Sequence, residues 1–586
     1  MGGASQGPPR AARRGRAEEP RPLLVNLRRA AFAAVFVLVA APASAQSVCD
    51  GRPIRSISLA TAPLFGAESR ALPRLFYHLG NSLHWRTRPE TARRELLFAE
   101  GEPCDPRRLA ETERLLRAQT YLRSARVTTA PARDGGVDVA VETRDDWSLR
   151  GAARVESGSS VKRFRLSEEN VLGRGIRVQL RYNDLGRRAG FDVGVLHRQF
   201  FGRHDAELVA GKSSVGSVVE QSVLRPFESE FDRLAWRESN RYRKEPFPLV
   251  SPTLGTVAQP LVSFGGDVGI AARFGVPGRL RILGAALSAE RLYVEGSPLA
   301  PLAADDSLAQ AQLAGRYSER RRVRAHLILG WRNLQFTSHR GVDGVNAVED
   351  IREGVEAGVV LGRSLFGSGG LQHDWFVSAE TYLGAALDYR TLVFARGKAE
   401  GRYLTNGTHW DGVIAWGEVL VYNAVSERGV MVFGLRGGGG WHTSTPFQLL
   451  LASSNGIRGY GYTGLPVGRR VVVQAEHRYF VGTAFGAVDV GTVGFVDLGR
   501  GWAGDAAFGE NTGLIGSVGG GLRMAFPSGS RLTYRLDVAL PLTRGAGPEL
   551  RFGLQHQFGI LRGEPDDLTR SREQVSSVNV FNFPRY

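Results

Sequence analysis

From Trp147 onward, apolar and polar side chains alternate one by one, segment after segment, through most of a 586-residue chain. In residues 175–183, Ile176, Val178, Leu180 and Tyr182 fall on one face and Arg177, Gln179 and Arg181 on the other. In residues 531–540, Leu532, Tyr534, Leu536, Val538 and Leu540 oppose Arg531, Thr533, Arg535 and Asp537. A period of two separates the faces of a β-strand. A soluble sandwich buries its apolar face on a second sheet and usually ends within about 100 residues. Here the alternation continues over residues 147–558, broken by polar stretches such as 340–349. Such a chain is expected to fold as an all-β antiparallel transmembrane barrel, apolar toward lipid and polar toward a wet lumen. Lipid offers a strand edge no hydrogen-bond partner, so the sheet must close. The alternating segments number between sixteen and twenty-one, which leaves the strand count open.

Glycine supports this reading. The 74 glycines are about 13% of the chain, against a usual share of roughly 7%, with too few prolines (27) for collagen. Two cysteines exclude a disulfide scaffold, and 42% hydrophobic residues exclude a disordered chain. The net charge of +17 suggests nucleic acid at first sight. Seven Arg and two Glu within the first 45 residues account for +5 of it, however, and the other arginines are dispersed at alternating positions facing the lumen. No nucleic-acid partner is expected.

Residues 1–45 read as a signal peptide: basic residues ending in Arg28 and Arg29, an apolar run from Ala30 to Ala41, then Ala43-Ser44-Ala45. As a helix that run spans only about 18 Å, short of the roughly 30 Å hydrocarbon core. Export places Cys49 and Cys104 in an oxidising compartment, where they are a candidate disulfide.

Between the leader and the alternation lies a small α/β module, residues 49–144. A strand is expected at Ile54, Ile57 and Leu59. A helix follows a Thr87-x-x-Glu90 capping box with Pro89 just inside. A second helix opens at Asp105-Pro106 with Leu109, Leu115, Leu116 and Leu122 at helical spacing. Residues 125–129 and 137–141, joined by Asp134-Gly135-Gly136, then form a hairpin. The predicted order is strand, helix, helix, strand, strand, and with Leu115-Leu116 and 121–127 leading into the second strand it resembles a POTRA domain.

No enzyme site, cofactor or metal site stands out. Gly211-Lys212-Ser213 lacks the first glycine of a phosphate loop, which is Ala206 here, and neither H-E-x-x-H nor paired C-x-x-C occurs. The sharpest constellation is a glycine-rich segment, 441–468, containing Ile457-Arg458-Gly459-Tyr460. In the strand that follows, Gln474, Glu476 and Arg478 share the polar face. In the next, Phe495 and Asp497 share a face. An arginine buried there is costly unless carboxylates meet it.

These residues resemble the BamA/TamA outer-membrane assembly family, within the superfamily that includes two-partner secretion transporters. Ile457-Arg458-Gly459-Tyr460 is similar to its loop motif, Phe495-Val496-Asp497-Leu498-Gly499 to its companion strand motif, and the segment Glu168 to Gly175 to its early-barrel segment. The resemblance implies a sixteen-stranded barrel whose loop folds inward. Arg458 would bond Asp497 first and Glu476 second, and clients would pair at a seam between residues 148–157 and 549–558. It implies an outer-membrane protein of a Gram-negative bacterium, with its module in the periplasm, that assembles, inserts or translocates polypeptides. Its partners would be membrane lipid, unfolded clients and accessory chaperones or lipoproteins. The alternative is a passive channel or surface-antigen barrel with the module as a spacer. Two features depart from the family: a single POTRA-like module, and a tail, 559–586, that follows the last strand. That tail is expected either in the periplasm or as a closing strand at 578–583.

Overall fold

The computed structural model describes residues 49–66, 72–156, 160–184, 189–301, 306–365, 373–407, 409–452, 456–461, 464–543, 547–554 and 565–571. The leader, residues 1–45, lies outside them.

The module begins with β1 (Ile54–Ala62), followed by α1 (Arg74–Leu83), α2 (Pro89–Arg93) and α3 (Pro106–Ala118), and ends with β2 (Leu122–Pro131) and β3 (Val137–Asp145). The sheet order is β1-β3-β2, with β1 parallel to β3 and β2 antiparallel to it. Ile54, Leu109, Leu116, Leu122, Val127, Val139 and Val141 form its core. Cys49 and Cys104 are joined by a disulfide. Asp105 caps α3, accepting from the Arg107 N–H at 2.9 Å, with Pro106 in the first turn.

The helices differ from expectation in three respects. Helix α1 has no counterpart in the predicted order. Leu122 opens β2 instead of ending α3. The Thr87 capping box does not form: the N-cap of α2 is Arg88 and its side chain makes no capping bond. Tertiary contacts take Thr87 instead, its N–H donating to Asp145 (3.0 Å) and its hydroxyl accepting from Asn170 (2.9 Å).

The barrel's first arc comprises β4 (Leu149–Glu156), β5 (Ser160–Val171), β6 (Ile176–Asp184), β7 (Ala189–Phe201), β8 (His204–Lys212), β9 (Ser217–Arg225) and β10 (Leu234–Ser251). It continues through β11 (Gly255–Val276), β12 (Arg279–Val294), the helix α4 (Asp306–Leu313), β13 (Arg320–Arg340), β14 (Val348–Ser364), β15 (Asp374–Ala386), β16 (Thr391–Leu404) and β17 (His409–Ala424). After β18 (Gly429–Trp441) a long loop carries a small hairpin, β19 (Leu449–Leu451) and β20 (Leu465–Val467). The ring is completed by β21 (Arg469–Ala484), β22 (Val488–Trp502), β23 (Ile515–Ala525), β24 (Thr533–Pro541) and β25 (Glu549–Leu554), which lies beside β4. A last helix, α5 (Asp566–Ser571), follows.

The closed barrel has twenty strands, not the sixteen implied by family resemblance. The excess is hard to see in sequence because rim turns as tight as Gly202–Arg203, between β7 and β8, leave no polar gap in the alternation. Even the polar stretch at 340–349 is a packed rim turn, with Val342, Asp343, Ala347 and Glu349 buried.

Alternation resolves into inside and outside. On β21, Arg470, Val472, Gln474, Glu476 and Arg478 are buried toward the lumen, while Val471, Val473, Tyr479 and Val481 are exposed on the outer wall. Leu283 and Leu287 on β12, and Leu536, Val538 and Leu540 on β24, likewise face outward. Inside, arginines meet acids across the wall: Arg324 and Arg322 on β13 reach Asp374 on β15 (2.6 and 3.4 Å), Arg332 reaches Glu230 in the β9–β10 turn and Glu356 on β14, and Arg523 on β23 reaches Asp537 on β24 (2.5 Å). Buried charges persist only when compensated in this way.

The module caps one end of the ring. The segment Glu168 to Gly175, the end of β5 and the turn into β6, is its main dock. The Gly173 carbonyl accepts from the Arg88 N–H (3.0 Å) and the Thr91 hydroxyl (2.8 Å). Gly173 has φ of 72°, and a Cβ there would strike the Arg86 carbonyl, so glycine satisfies both the turn and the close approach. Across the mouth, Arg117 pairs with Asp350 at 2.8 Å, Arg123 donates to the Ser528 carbonyl, and Arg531 donates to the Gln119 carbonyl.

One acid at this junction titrates out of its usual range. Burial pushes Glu95 from 4.5 up to about 7, with Arg198 and Arg203 opposing the shift and Asp205 reinforcing it. Burial, and then Glu95 itself, raise Glu228 in the β9–β10 turn. A carboxyl raised in the folded state contributes stability below its unfolded value and loses it as pH climbs through the folded one. Module docking should therefore weaken as pH rises from about 4.5 to 7, and Glu95→Gln should flatten that dependence. Hydrogen exchange at α2 and α3 across this range would test it, and an unchanged pH profile in Glu95→Gln would refute it.

Candidate functional site

The loop between β18 and β21 leaves the barrel end opposite the module and turns back into the lumen. Its hairpin registers Leu449 with Val467 and Leu451 with Leu465. The apolar side chains anchor it inside: Phe447, Leu449, Leu451, Ile457 and Val467 are buried with Ile414 and Val472 of the wall. Gly499 on β22 makes room, since a Cβ there would collide with Ile457.

That packing delivers Arg458 to the two strands that follow the loop. Its Nε and Nη2 each donate to Asp497 at 2.6 Å, a bidentate pair, and Nη1 donates to Glu476 at 2.6 Å. Its backbone N–H also reaches Asp497, at 3.1 Å. The guanidinium carbon sits 3.5 Å from the centroid of the Phe495 ring, close enough for cation–π attraction. Arg478 occupies the other Glu476 oxygen at 3.0 Å. Gln474 donates to the Gly456 carbonyl (2.7 Å) and to Asp497 (3.2 Å). Two guanidinium cations and two carboxylates thus balance in a site that admits almost no water, with Asp497 fully buried.

Tyr460 reaches a third strand, its hydroxyl donating to the Gly516 carbonyl at 2.8 Å and lying 2.7 Å from Thr543. Sequence reasoning missed the next contact. Glu549, the first residue of the closing strand β25, accepts from the Gly459 N–H at 2.8 Å and the Gly461 N–H at 3.3 Å. The loop therefore holds β21 and β22 through Arg458, and β25 through its own backbone. No spacing in the sequence links residue 459 to residue 549.

Sequence reasoning also missed the place of α5. Asp567 pairs with Arg470, at 2.9 Å to Nη2, and accepts from the Leu450 N–H (3.1 Å); Leu568 is fully buried beside the loop. This part of the tail lies on the inner wall, not in the periplasm. Residues 578–583 lie outside the described ones. Among the described residues, no cluster of His, Cys, Asp and Glu could hold a metal ion.

No family model matches the chain, nor does any curated protein. Solved structures of similar form include BamA from Haemophilus ducreyi lacking POTRA domains 1-3, at 14% identity and TM-score 0.35, covering 86% of this chain and 83% of that one. CdiB from Escherichia coli matches at 11% identity and TM-score 0.42, covering 86% and 76%. CdiB from Acinetobacter baumannii matches at 10% and 0.36, covering 86% and 73%. These likenesses are loose, and the functional reading rests on the chain's own residues.

Removing one partner from a buried ion cluster costs about 3–5 kcal/mol, because the remaining charges stay desolvated. Arg458→Ala should therefore lower the temperature at which the barrel unfolds, read from its electrophoretic mobility shift on heating. Arg458→Lys should fall between, since a point charge cannot replace a two-pronged donor. If the alanine variant melts with the parent protein, the cluster contributes nothing to stability.

Proposed function

We propose that this chain is an outer-membrane protein of a Gram-negative bacterium that inserts or translocates polypeptides, with no enzymatic step and no cofactor. The observation that carries the reading is the double attachment of the lumenal loop, through Arg458 to Asp497 and Glu476 and through Gly459 and Gly461 to Glu549 on the closing strand. A loop fixed to the wall and also to one edge of the ring's closure can couple lumenal events to opening between β25 and β4. An opened closure exposes unpaired N–H and C=O groups, which template an incoming strand by backbone hydrogen bonds. No nucleotide is required, because an unfolded strand gains free energy by pairing its backbone and burying its apolar face in lipid.

The N-terminal module, with its three-stranded sheet in the order β1-β3-β2, is read as a POTRA domain on the periplasmic side that collects unfolded clients along its edge strands. A leader removed after Ala45 would deliver the chain there. The loop, α5 and the docked module occupy the lumen and one of its mouths. This arrangement suits a guarded passage better than the passive channel.

Reconstituted vesicles offer the test. Glu549→Ala leaves the Arg458 cluster intact and should yield a folded barrel, yet the rate at which an added unfolded outer-membrane client becomes protease-resistant should fall several-fold. In planar bilayers the parent protein should give small, flickering currents. Undiminished client assembly in Glu549→Ala, or a large and steady open current in the parent, would defeat the proposal.

A further inference from the structure

Helix α1 exposes the side that a water-soluble domain would hide. Leu75, Phe76, Leu79 and Leu83 are 71%, 59%, 47% and 69% exposed, and Trp85, just past the helix, is 44% exposed. At about 100° per residue the four helical side chains lie within one arc of roughly 100°. The opposite side holds the helix in place. Gly80 abuts the Phe65 ring so closely that a Cβ would collide with it, and the Tyr77 ring lies tilted against that ring at 6.2 Å. Asn81 exchanges hydrogen bonds with the Phe65 backbone at 3.0 and 3.3 Å. The helix is thus pinned by its small and polar face. Leaving a large apolar side chain in water forgoes the free energy of its burial, so a surface of this kind calls for a cover.

The setting indicates which. Phe65 packs on Phe526 at 5.1 Å and clusters with Ala487, Val488 and Trp147. These residues belong to the β21–β22 turn and the start of β22, to the β23–β24 turn and to the residues leading into β4, so α1 lies at the rim of the barrel on the module side. On that rim β21 and its turn also expose Val481 (49%) and Phe485 (62%). Helix α1 contains no acidic residue, it opens with exposed Arg74, and exposed Arg86 and Arg88 follow it. An apolar face, a flanking tryptophan and basic neighbours are the attributes of a helix lying in the plane of an anionic membrane surface.

We propose that α1 beds its Leu75, Phe76, Leu79 and Leu83 face into the headgroup–acyl boundary of the leaflet on the module side, fixing the module against the membrane. This rests on the barrel being membrane-spanning. The lipid-bound helix sets the height and orientation of the module beneath the closure, independently of any client.

Because Cys49 and Cys104 are bonded to each other, Leu79→Cys supplies a single free thiol in the full-length protein. An environment-sensitive nitrobenzoxadiazole probe is attached there, and the protein is reconstituted into vesicles of phosphatidylethanolamine and phosphatidylglycerol with and without doxyl-labelled lipid. Emission should shift to the blue and be quenched by the doxyl lipid, as at Leu283→Cys on the lipid-facing wall, while Glu90→Cys on α2 should show neither effect. Leu75→Glu with Leu83→Glu, both at exposed positions, should abolish quenching at Leu79→Cys and leave the heat-shift mobility of the barrel unchanged. Quenching at Leu283→Cys without quenching at Leu79→Cys would overturn the proposal. So would a blue shift at Leu79→Cys that appears only when an unfolded polypeptide is added, which would mark α1 as a protein-docking face. Absence of quenching at Leu283→Cys would instead refute the spanning barrel itself.

Discussion

A sheet whose outer face is apolar cannot leave an edge unpaired where no water reaches it, and most of this molecule follows from that requirement. Twenty antiparallel strands meet end to end, and because the number is even, β25 and β4 run in opposite directions where the ring closes. With the apolar side chains committed to the outside, the inner wall must hold the rest. It holds many of them as buried Arg–carboxylate pairs that tie strands and turns of the wall together, as Arg324 with Asp374, Arg332 with Glu230 and Arg523 with Asp537 do.

The same logic explains the loop. A ring this wide has a lumen that side chains alone do not fill, and the segment between β18 and β21 folds into it. Its apolar residues pay for entry by burying against the wall, which leaves Arg458 where only carboxylates could accept it. The contact from Gly459 and Gly461 to Glu549 joins this rigid cluster to the last strand. The place where the ring closes is therefore also where the loop holds on. From the other side of the loop, α5 adds Asp567 against Arg470.

At the opposite end, the module is attached through turns and through long side chains. The β5–β6 turn receives it, and arginines on both partners reach across to acids and carbonyls. Such contacts are polar and directional, and beside them burial pushes the Glu95 carboxyl up to about 7. The attachment is thus responsive in a way that the barrel wall is not.

Much of this architecture was legible in the chain. Alternation with a period of two is a local property, so it determined which side chains face outward, as Leu536, Val538 and Leu540 do, and which face the lumen. Asp105-Pro106 likewise marked the start of α3, because a cap acts within a few residues of itself. The resembling motif singled out Arg458 with Asp497 and Glu476 as its partners, and the fold places both carboxylates within hydrogen-bond distance of that guanidinium. Only the tertiary structure decided that the ring has twenty strands, that Thr87 serves Asn170 and Asp145 instead of a helix end, that Glu549 holds the loop, and that α1 turns its leucines outward. Each of these depends on groups far apart in the chain meeting in space, and residue periodicity carries no information about which distant partner a strand, a turn or a helix face will find.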